Sequence, residues 1–361
     1  MCRSPHHPFL LALPKTELHL HLEGTLTPDL LFTLAAKHGV TLPKDDAAFA
    51  SPAALAHRYT QFTSLQDFLN YYYIGMSVLR TSQDFEDLAW DYFQGFARQG
   101  GVHAEVSFDP QAHTTRGVPL ATVVEGITRA KRRAEKELGI SAGVVMCILR
   151  HLPAADGLKH FEEAVKAGYF ENGSLVGIGL DSSEKEFPPS WFKEIYQRAK
   201  ELGIRRTAHA GEEGPPEFIT SALDDLHVER IDHGVRAVED AALLSRLATK
   251  KILLTVCPIS NVALRVVSHV SEVPIRKLMD AGVRWNINGD DPAYFTGPVD
   301  TEAEGVLMKN YCAVQEAFGL TVAEWEKVAR DAIQGSFASE SRKEEVEGLI
   351  DGWIGGWRGK L

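Results

Sequence analysis

The 361 residues are expected to fold as one α/β unit, a (β/α)8 TIM barrel with a helical insertion after its first strand. Three observations lead there. Short β-prone runs recur eight times, amphipathic helical stretches separate them, and almost every run ends in a titratable or polar residue. Barrels of this type commonly run to about 250 residues or more as one unit. No Pro/Ser-rich linker divides the chain, so residues 1–361 read as a single domain.

The eight runs lie at 17–22, 102–108, 142–149, 175–180, 205–210, 230–232, 252–256 and 283–287. Helical patterns occupy 84–99, 120–138, 188–202, 238–248 and 273–281. Gly139, Gly203 and Gly282 stand just past three of them, where a left-handed C-cap is wanted. The stretch 25–81 is too long for one crossover and reads as several helices. Its Phe62, Phe68, Tyr71, Tyr72 and Tyr73 fit either a lid over an apolar ligand or, at helical spacing, ordinary packing.

Hydrophobic residues make up 44% of the chain and charged ones 24%, enough for a large core and incompatible with disorder or low complexity. The 38 Lys and Arg face 49 Asp and Glu, a net charge of −11 that argues against nucleic acid as a partner. Cys2, Cys147, Cys257 and Cys312 are far apart and form no Cys-x-x-Cys pair. Neither a disulfide framework nor a thiolate zinc site is expected, and a reducing compartment is the simplest setting. The run Phe9-Leu10-Leu11-Ala12-Leu13 is too short for a signal peptide, and nowhere do about 18 apolar residues occur together. A soluble, cytoplasmic protein with no membrane partner is expected. The sequon Asn172-Gly173-Ser174 is expected to be unused, as is the terminal Gly359-Lys360-Leu361, a faint likeness of a peroxisomal address.

In a parallel barrel the chemistry sits where strands end. The runs here end in His19 and His21, Asp109, Arg150, Asp181, His209, His233, Ser260 with Asn261, and Asp290 with Asp291. Within 17–23, a period of two places Leu18, Leu20 and Leu22 on one side and both histidines on the other. Alone, such a pair suits structure and metal binding equally. Joined by His209 and by Asp290, it becomes three neutral nitrogens and one carboxylate, a set that suits a divalent metal of zinc type. A water on such a metal has its pKa lowered toward about 7, which makes the site fit for hydrolysis. Glu212, three residues after His209, is placed to exchange protons with a substrate, and His233 to orient or deprotonate the water. Read singly, they are a helix-cap carboxylate and a structural imidazole. Asp109, Arg150 and Asp181 are expected to be structural or supporting groups.

The segments Lys15-Thr16-Glu17-Leu18-His19-Leu20-His21-Leu22-Glu23-Gly24, His209-Ala210-Gly211-Glu212, Asp232-His233-Gly234, Cys257-Pro258-x-Ser260-Asn261 and Asp290-Asp291-Pro292 together resemble the adenosine/adenine deaminase family. They fall in that family's order from residue 14 to about residue 295, and the family's barrels are of the metal-dependent hydrolase type. The resemblance implies one zinc ion per chain held by His19, His21, His209 and Asp290. It implies that Glu212 donates a proton to purine N1 while an activated water attacks C6, that His233 positions or deprotonates this water, and that Asp291 hydrogen-bonds N7. The product is then the 6-oxopurine.

Three places bear on which amine is the substrate. The family's nucleoside enzymes carry Asp where this chain has Glu23, one methylene longer and expected to intrude where a sugar would sit. Their Asp-Leu-Ala-Gly run is here Asp181-Ser182-Ser183-Glu184, so the Gly contact to the base is missing. Ser107-Phe108-Asp109-Pro110-Gln111-Ala112-His113 resembles the fungal-type adenine deaminase branch. All three point to adenine, deaminated to hypoxanthine and ammonia in purine salvage, in the cytoplasm and the nucleus. A pocket closed at N9 has no room for ribose, and a buried group meant for N9–H is left unpaired by a nucleoside. Ser182, Ser183 and Glu184 are candidates for the far edge of the base, alongside the reading in which they cap the following helix.

Within the same chemistry the alternatives are adenosine and N6-substituted adenine nucleosides or nucleotides, although no Arg/Lys cluster or Gly-rich phosphate cradle accompanies the motifs. Another metal-dependent amidohydrolase activity would not need the whole motif set. In a different class, a catalytically silent binding module would be marked by loss of a ligand or of Glu212, and all are present.

Overall fold

A computed structural model describes residues 6–295 and 305–357. The terminal Gly359-Lys360-Leu361 lies outside the described residues. Eight strands, β1 (Lys15–Glu17), β2 (Gly101–Phe108), β3 (Ser141–Leu149), β4 (Gly177–Asp181), β5 (Arg205–Ala210), β6 (Arg230–His233), β7 (Leu253–Val256) and β8 (Arg284–Ile287), follow one another around one parallel sheet in sequence order. The expected barrel is present. Helices alternate with the strands because apolar runs buried on both faces need cover outside the ring. Gly139, Gly203 and Gly282 all take the left-handed conformation expected of residues that end helices.

The run 17–22 is the one strand that differs from expectation. Regular pairing stops at Glu17, and beyond it Leu20 and His21 form isolated parallel bridges to Asp290 and Ser107. The backbone here serves two neighbours at once. Ser107 N–H donates to Leu20 O (2.7 Å) while His21 N–H donates to Asp290 O (3.0 Å) and Asp290 N–H to His19 O (3.2 Å). With Leu18 N–H on Asn288 Oδ1 (2.8 Å), these bonds form the seam that closes β8 onto β1.

The stretch 25–81 is helical, as expected, with helices Pro28–His38, Pro52–Tyr59 and Leu65–Met76. Thr81 and Asp84 close a capping box on the next helix, Ser82–Arg98. The same Asp84 carboxylate pairs with Lys37 Nζ (2.7 Å) and His38 Nε2 (2.8 Å), tying the insertion to the barrel wall. Two parts were not expected. The run Phe9–Leu13 lies largely within a short helix, His7–Ala12, with the Phe9 ring 4.3 Å from that of Trp353. Beyond β8 the helices Val306–Phe318, Val322–Gln334 and Glu340–Trp357 continue the outer layer, with Trp325 fully buried in the second. No described helix is long and apolar enough to cross a membrane.

A charged pair crosses the inside of the ring. Arg230 of β6 donates to Glu105 Oε2 of β2 at 2.6 Å, and both side chains are about 1% exposed or less. His103 Nε2 lies 3.2 Å from the other carboxylate oxygen, which also accepts from the backbone N–H of Phe337, and the Phe337 ring faces the Arg230 guanidinium (4.3 Å). Burial works against the Glu105 carboxylate, but the Arg230 charge and His103 more than offset it and hold its pKa down at about 2. The pair therefore contributes stability above the ordinary carboxylate range that is lost as pH falls toward about 2. Glu105→Gln leaves Arg230 buried without its counter-charge. Urea unfolding at neutral pH should show a loss of about 3–5 kcal/mol, with a smaller difference from wild type at pH near 3. An unchanged midpoint at neutral pH would show that the pair contributes nothing.

Candidate active site

The strand ends bring the expected residues together. Ligand atoms of His19, His209, His233 and Asp290 lie within 4.8 Å of one another. His21 Nε2 joins them, 3.2 Å from His209 Nε2 and 3.6 Å from Asp290 Oδ1, and His19 Nε2 is 3.3 Å from Asp290 Oδ1. All five side chains are buried. His233 and Asp290 sit at φ +62° and +61°, a conformation that costs a non-Gly residue on the order of 1–2 kcal/mol and is held here by the surrounding structure.

The hydrogen bonds behind the cluster show what it is built to hold. Thr255 Oγ1 gives its one proton to Asp232 Oδ1 (2.9 Å), so it accepts from His19 Nδ1 (3.0 Å), and that leaves His19 Nε2 with a lone pair and no protein partner. Asp232 Oδ2 takes Thr207 Oγ1 (2.7 Å) and lies 3.8 Å from His209 Nδ1. His21 Nδ1 faces Asp181 Oδ2 at 3.5 Å. Ser260 Oγ donates to Asp290 Oδ2 (2.5 Å). Imidazoles whose far nitrogens face carboxylates or a hydroxyl, with their near nitrogens turned on one point beside a carboxylate, fit a divalent cation. Burial and the neighbouring imidazoles press His209 far toward its neutral, ligating form.

Glu212 follows on a loop fixed from two sides. The Glu184 carboxylate accepts from the N–H groups of Gly211 (3.1 Å), Glu212 (3.1 Å) and Gly214 (2.5 Å), and Arg150 Nη1 donates to His209 O (2.8 Å). Glu184 thus clamps the loop after β5 and neither reaches the base edge nor caps a helix. Arg150 is structural, as expected. Glu212 Oε2 lies 3.5 Å from His233 Nε2, and its Oε1 is buried without a protein partner. Burial, then the Asp290 charge, pushes the Glu212 carboxyl well above its ordinary range, toward its protonated form. Burial likewise pushes His233 down to about 3, leaving it neutral. Asp291 lines the same cavity with an unpartnered Oδ1. The chain passes so close at Gly24 that a Cβ there would fall 2.1 Å from that oxygen.

The other wall of the cavity is formed by Tyr72, Tyr73, Asp109, Asp181 and Ser182. Tyr72 donates to Asp109 Oδ2 (3.3 Å) and Tyr73 to Ser182 Oγ (3.1 Å), so part of the aromatic stretch does face the cavity. Phe62 and Tyr71 pack with Tyr59 instead. Asp109 and Asp181, expected as supporting groups, both line the wall. Glu23 and Ser183, expected at the sugar position and base edge, are not among the residues lining it. The chain leaves the strand before Glu23 and enters a 3-10 turn (Glu23–Thr25), where alternation of faces no longer applies. Its Oε1 is occupied by His113 Nε2 (2.7 Å) and Asp109 N–H (3.0 Å), one layer behind the wall. The supporting residues Thr207, Asp232 and Thr255 were not singled out, although each lies on a strand beside a site residue.

An eight-stranded parallel barrel whose strand ends converge on imidazoles and carboxylates around a cation-shaped cluster defines a metal-dependent hydrolase barrel. More narrowly, the chain belongs to the adenosine deaminase family, whose model matches residues 14–353. It is 51% identical over 346 residues to the adenine deaminase of Schizosaccharomyces pombe, covering 96% of this chain and 92% of that one. The adenine deaminase of Saccharomyces cerevisiae is 46% identical over 346 residues, 95% of this chain and 96% of that one. Among solved structures, the adenine deaminase from Arthrobacter aurescens superposes with a TM-score of 0.87 at 42% identity, covering 95% of this chain and 100% of that one. An amidohydrolase from Burkholderia ambifaria with bound Zn gives 0.82 at 26% identity, covering 98% of both chains.

Proposed function

We infer that the chain is a single catalytic unit that hydrolyses adenine to hypoxanthine and ammonia, with one zinc ion held by His19, His21, His209 and Asp290. The observation that carries this is a buried Glu212 carboxyl, its Oε1 unpartnered and its pKa pushed up by burial, beside a neutral His233, both facing the imidazole cluster. A divalent cation bound there would lower the pKa of a water toward about 7 and so supply the nucleophile.

The remaining work belongs to the chain. Glu212 donates its proton to N1, which drains electron density from C6. His233 accepts a proton as the water oxygen bonds to C6, and its distance to Glu212 (3.5 Å) lets that proton pass onward. Asp291 hydrogen-bonds N7 and fixes the ring so that C6 faces the cluster. When the C6–N6 bond breaks, N1 keeps the proton from Glu212, one water proton passes through His233 to restore the Glu212 carboxyl, and the other leaves with ammonia. We place the reaction in purine salvage, in the cytoplasm and the nucleus; the buried, free thiols of Cys147 and Cys257 suit such reducing compartments.

Ammonia release from zinc-loaded protein given adenine or adenosine at equal concentration tests the reading, each with a chelated control. Adenine should be deaminated with kcat/KM at least about 10²-fold above that for adenosine, and chelation should abolish both activities reversibly. Preference for adenosine would sink the free-base reading while leaving the metal chemistry standing.

A further inference from the structure

We propose that Asp109 reads the N3–N9 edge of the substrate, its Oδ1 accepting the N9–H hydrogen bond that a free purine offers and a nucleoside lacks. This rests on the adenine reading above and names the group within the site that enforces it.

The shape of a purine leaves little choice of wall. With C6 toward the imidazole cluster, N1 at Glu212 and N7 at Asp291, the opposite edge presents N3 and N9–H to Tyr72, Tyr73, Asp109, Asp181 and Ser182. A buried N–H needs an acceptor. The tyrosine hydroxyls already donate to Asp109 Oδ2 and Ser182 Oγ, and Ser182 Oγ also lies 2.8 Å from His151 Nδ1. Asp181 Oδ2 lies 3.5 Å from His21 Nδ1 and the Asp181 carboxyl hydrogen-bonds that of Asp109, so the two acids form one pair on this wall, with Asp109 the member bonded to Tyr72. Asp109 is buried, and no protein donor reaches its Oδ1. Nor is the carboxylate spent on the usual task of an Asp in its position. Asp109 stands at the N-cap of the short helix Pro110–Thr114, yet its side chain makes no capping bond.

Its position is set by a chain of hydrogen bonds. Asp109 N–H donates to Glu23 Oε1, which also faces His113 Nε2 (2.7 Å). Arg116 Nη2 lies 2.7 Å from His113 Nδ1 and donates to Met76 O (3.0 Å), at the end of the helix that carries Tyr72 and Tyr73. Glu23 and His113 are therefore positioning residues that hold the Asp109 backbone, and the extra methylene of Glu23 serves its reach to His113.

A cycle of two substrates and two variants tests the assignment. Adenine and 9-methyladenine, which lacks N9–H, are compared on wild type, Asp109→Ala and Asp109→Asn, each with bound metal quantified. Wild type should favour adenine by roughly 10²-fold in kcat/KM. In Asp109→Ala that ratio should fall toward unity, the loss on adenine residing mainly in KM, while Asp109→Asn, which keeps an acceptor of the same size, should retain most of the discrimination. Asp109→Ser substitutes if the alanine variant does not fold. The same cycle is read by calorimetric affinity for hypoxanthine and 9-methylhypoxanthine, which needs no turnover. Absence of adenine deamination by the metal-loaded wild type would overturn the proposed function. A metal-replete Asp109→Ala that discriminates as wild type does, in either readout, would overturn the role of Asp109.

Discussion

Glu212→Gln is expected to retain a full complement of metal and lose about 10²–10⁴-fold in turnover. The amide has the size of the carboxyl and no proton to give N1. Glu212 stands outside the proposed ligand set, and its loop is held through backbone N–H groups by Glu184, so the exchange leaves the framework in place. The effect is large because burial, then Asp290, pushes the native carboxyl upward toward the protonated state a general acid needs. Steady-state kinetics with atomic spectrometry of the same sample decides it. Near-wild-type turnover would remove Glu212 from the proton path.

His209→Ala should lose both metal and turnover. Its Nε2 is 3.2 Å from His21 Nε2, so the ring stands at the centre of the cluster rather than its rim. Arg150 holds the His209 carbonyl and Glu184 the following N–H groups, so the backbone stays anchored and the missing ring is the specific lesion. Loss of the buried ring also costs on the order of 2–4 kcal/mol of packing. Measured metal should drop from one per chain toward none, and chelator should no longer shift the melting temperature. Retention of one tightly bound ion with activity would exclude His209 as a ligand. The two variants part the chemistry cleanly, one keeping the cation without the proton and the other losing the cation.

Much of this was legible in the sequence because barrel strands announce themselves twice, by an apolar run and by the polar residue that ends it. His209 and His233 stand within a residue of the ends of β5 and β6, and Asp290 and Asp291 stand three and four residues past the end of β8. The misplacements share a cause: a pattern rule was carried past the element that justifies it. Period two was extended from His19 and His21 to Glu23, where the chain has already turned. Asp109 and Asp181 resemble any loop carboxylate in sequence, and what sets them apart is the absence of a donor, a property of the assembled wall. The helices after β8 escaped notice because the eight runs already completed a barrel.

The seam between β1 and β8 has a consequence for the order of events at the ribosome. Leu18 and Asn288 meet across 270 positions of chain, and the backbone of Asp290 bonds to His19 and His21 at the same place. Synthesis at about 5–20 residues per second therefore separates the first ligands from the last by many seconds. During that interval the proposed four-point cage is incomplete, and the early histidines alone would offer a cation only loose, exchangeable binding. With the ligand set proposed above, a cation would meet all four ligands only after the ring has shut, so nascent or truncated chains would compete poorly for scarce metal and the finished protein would take its ion in a single late step.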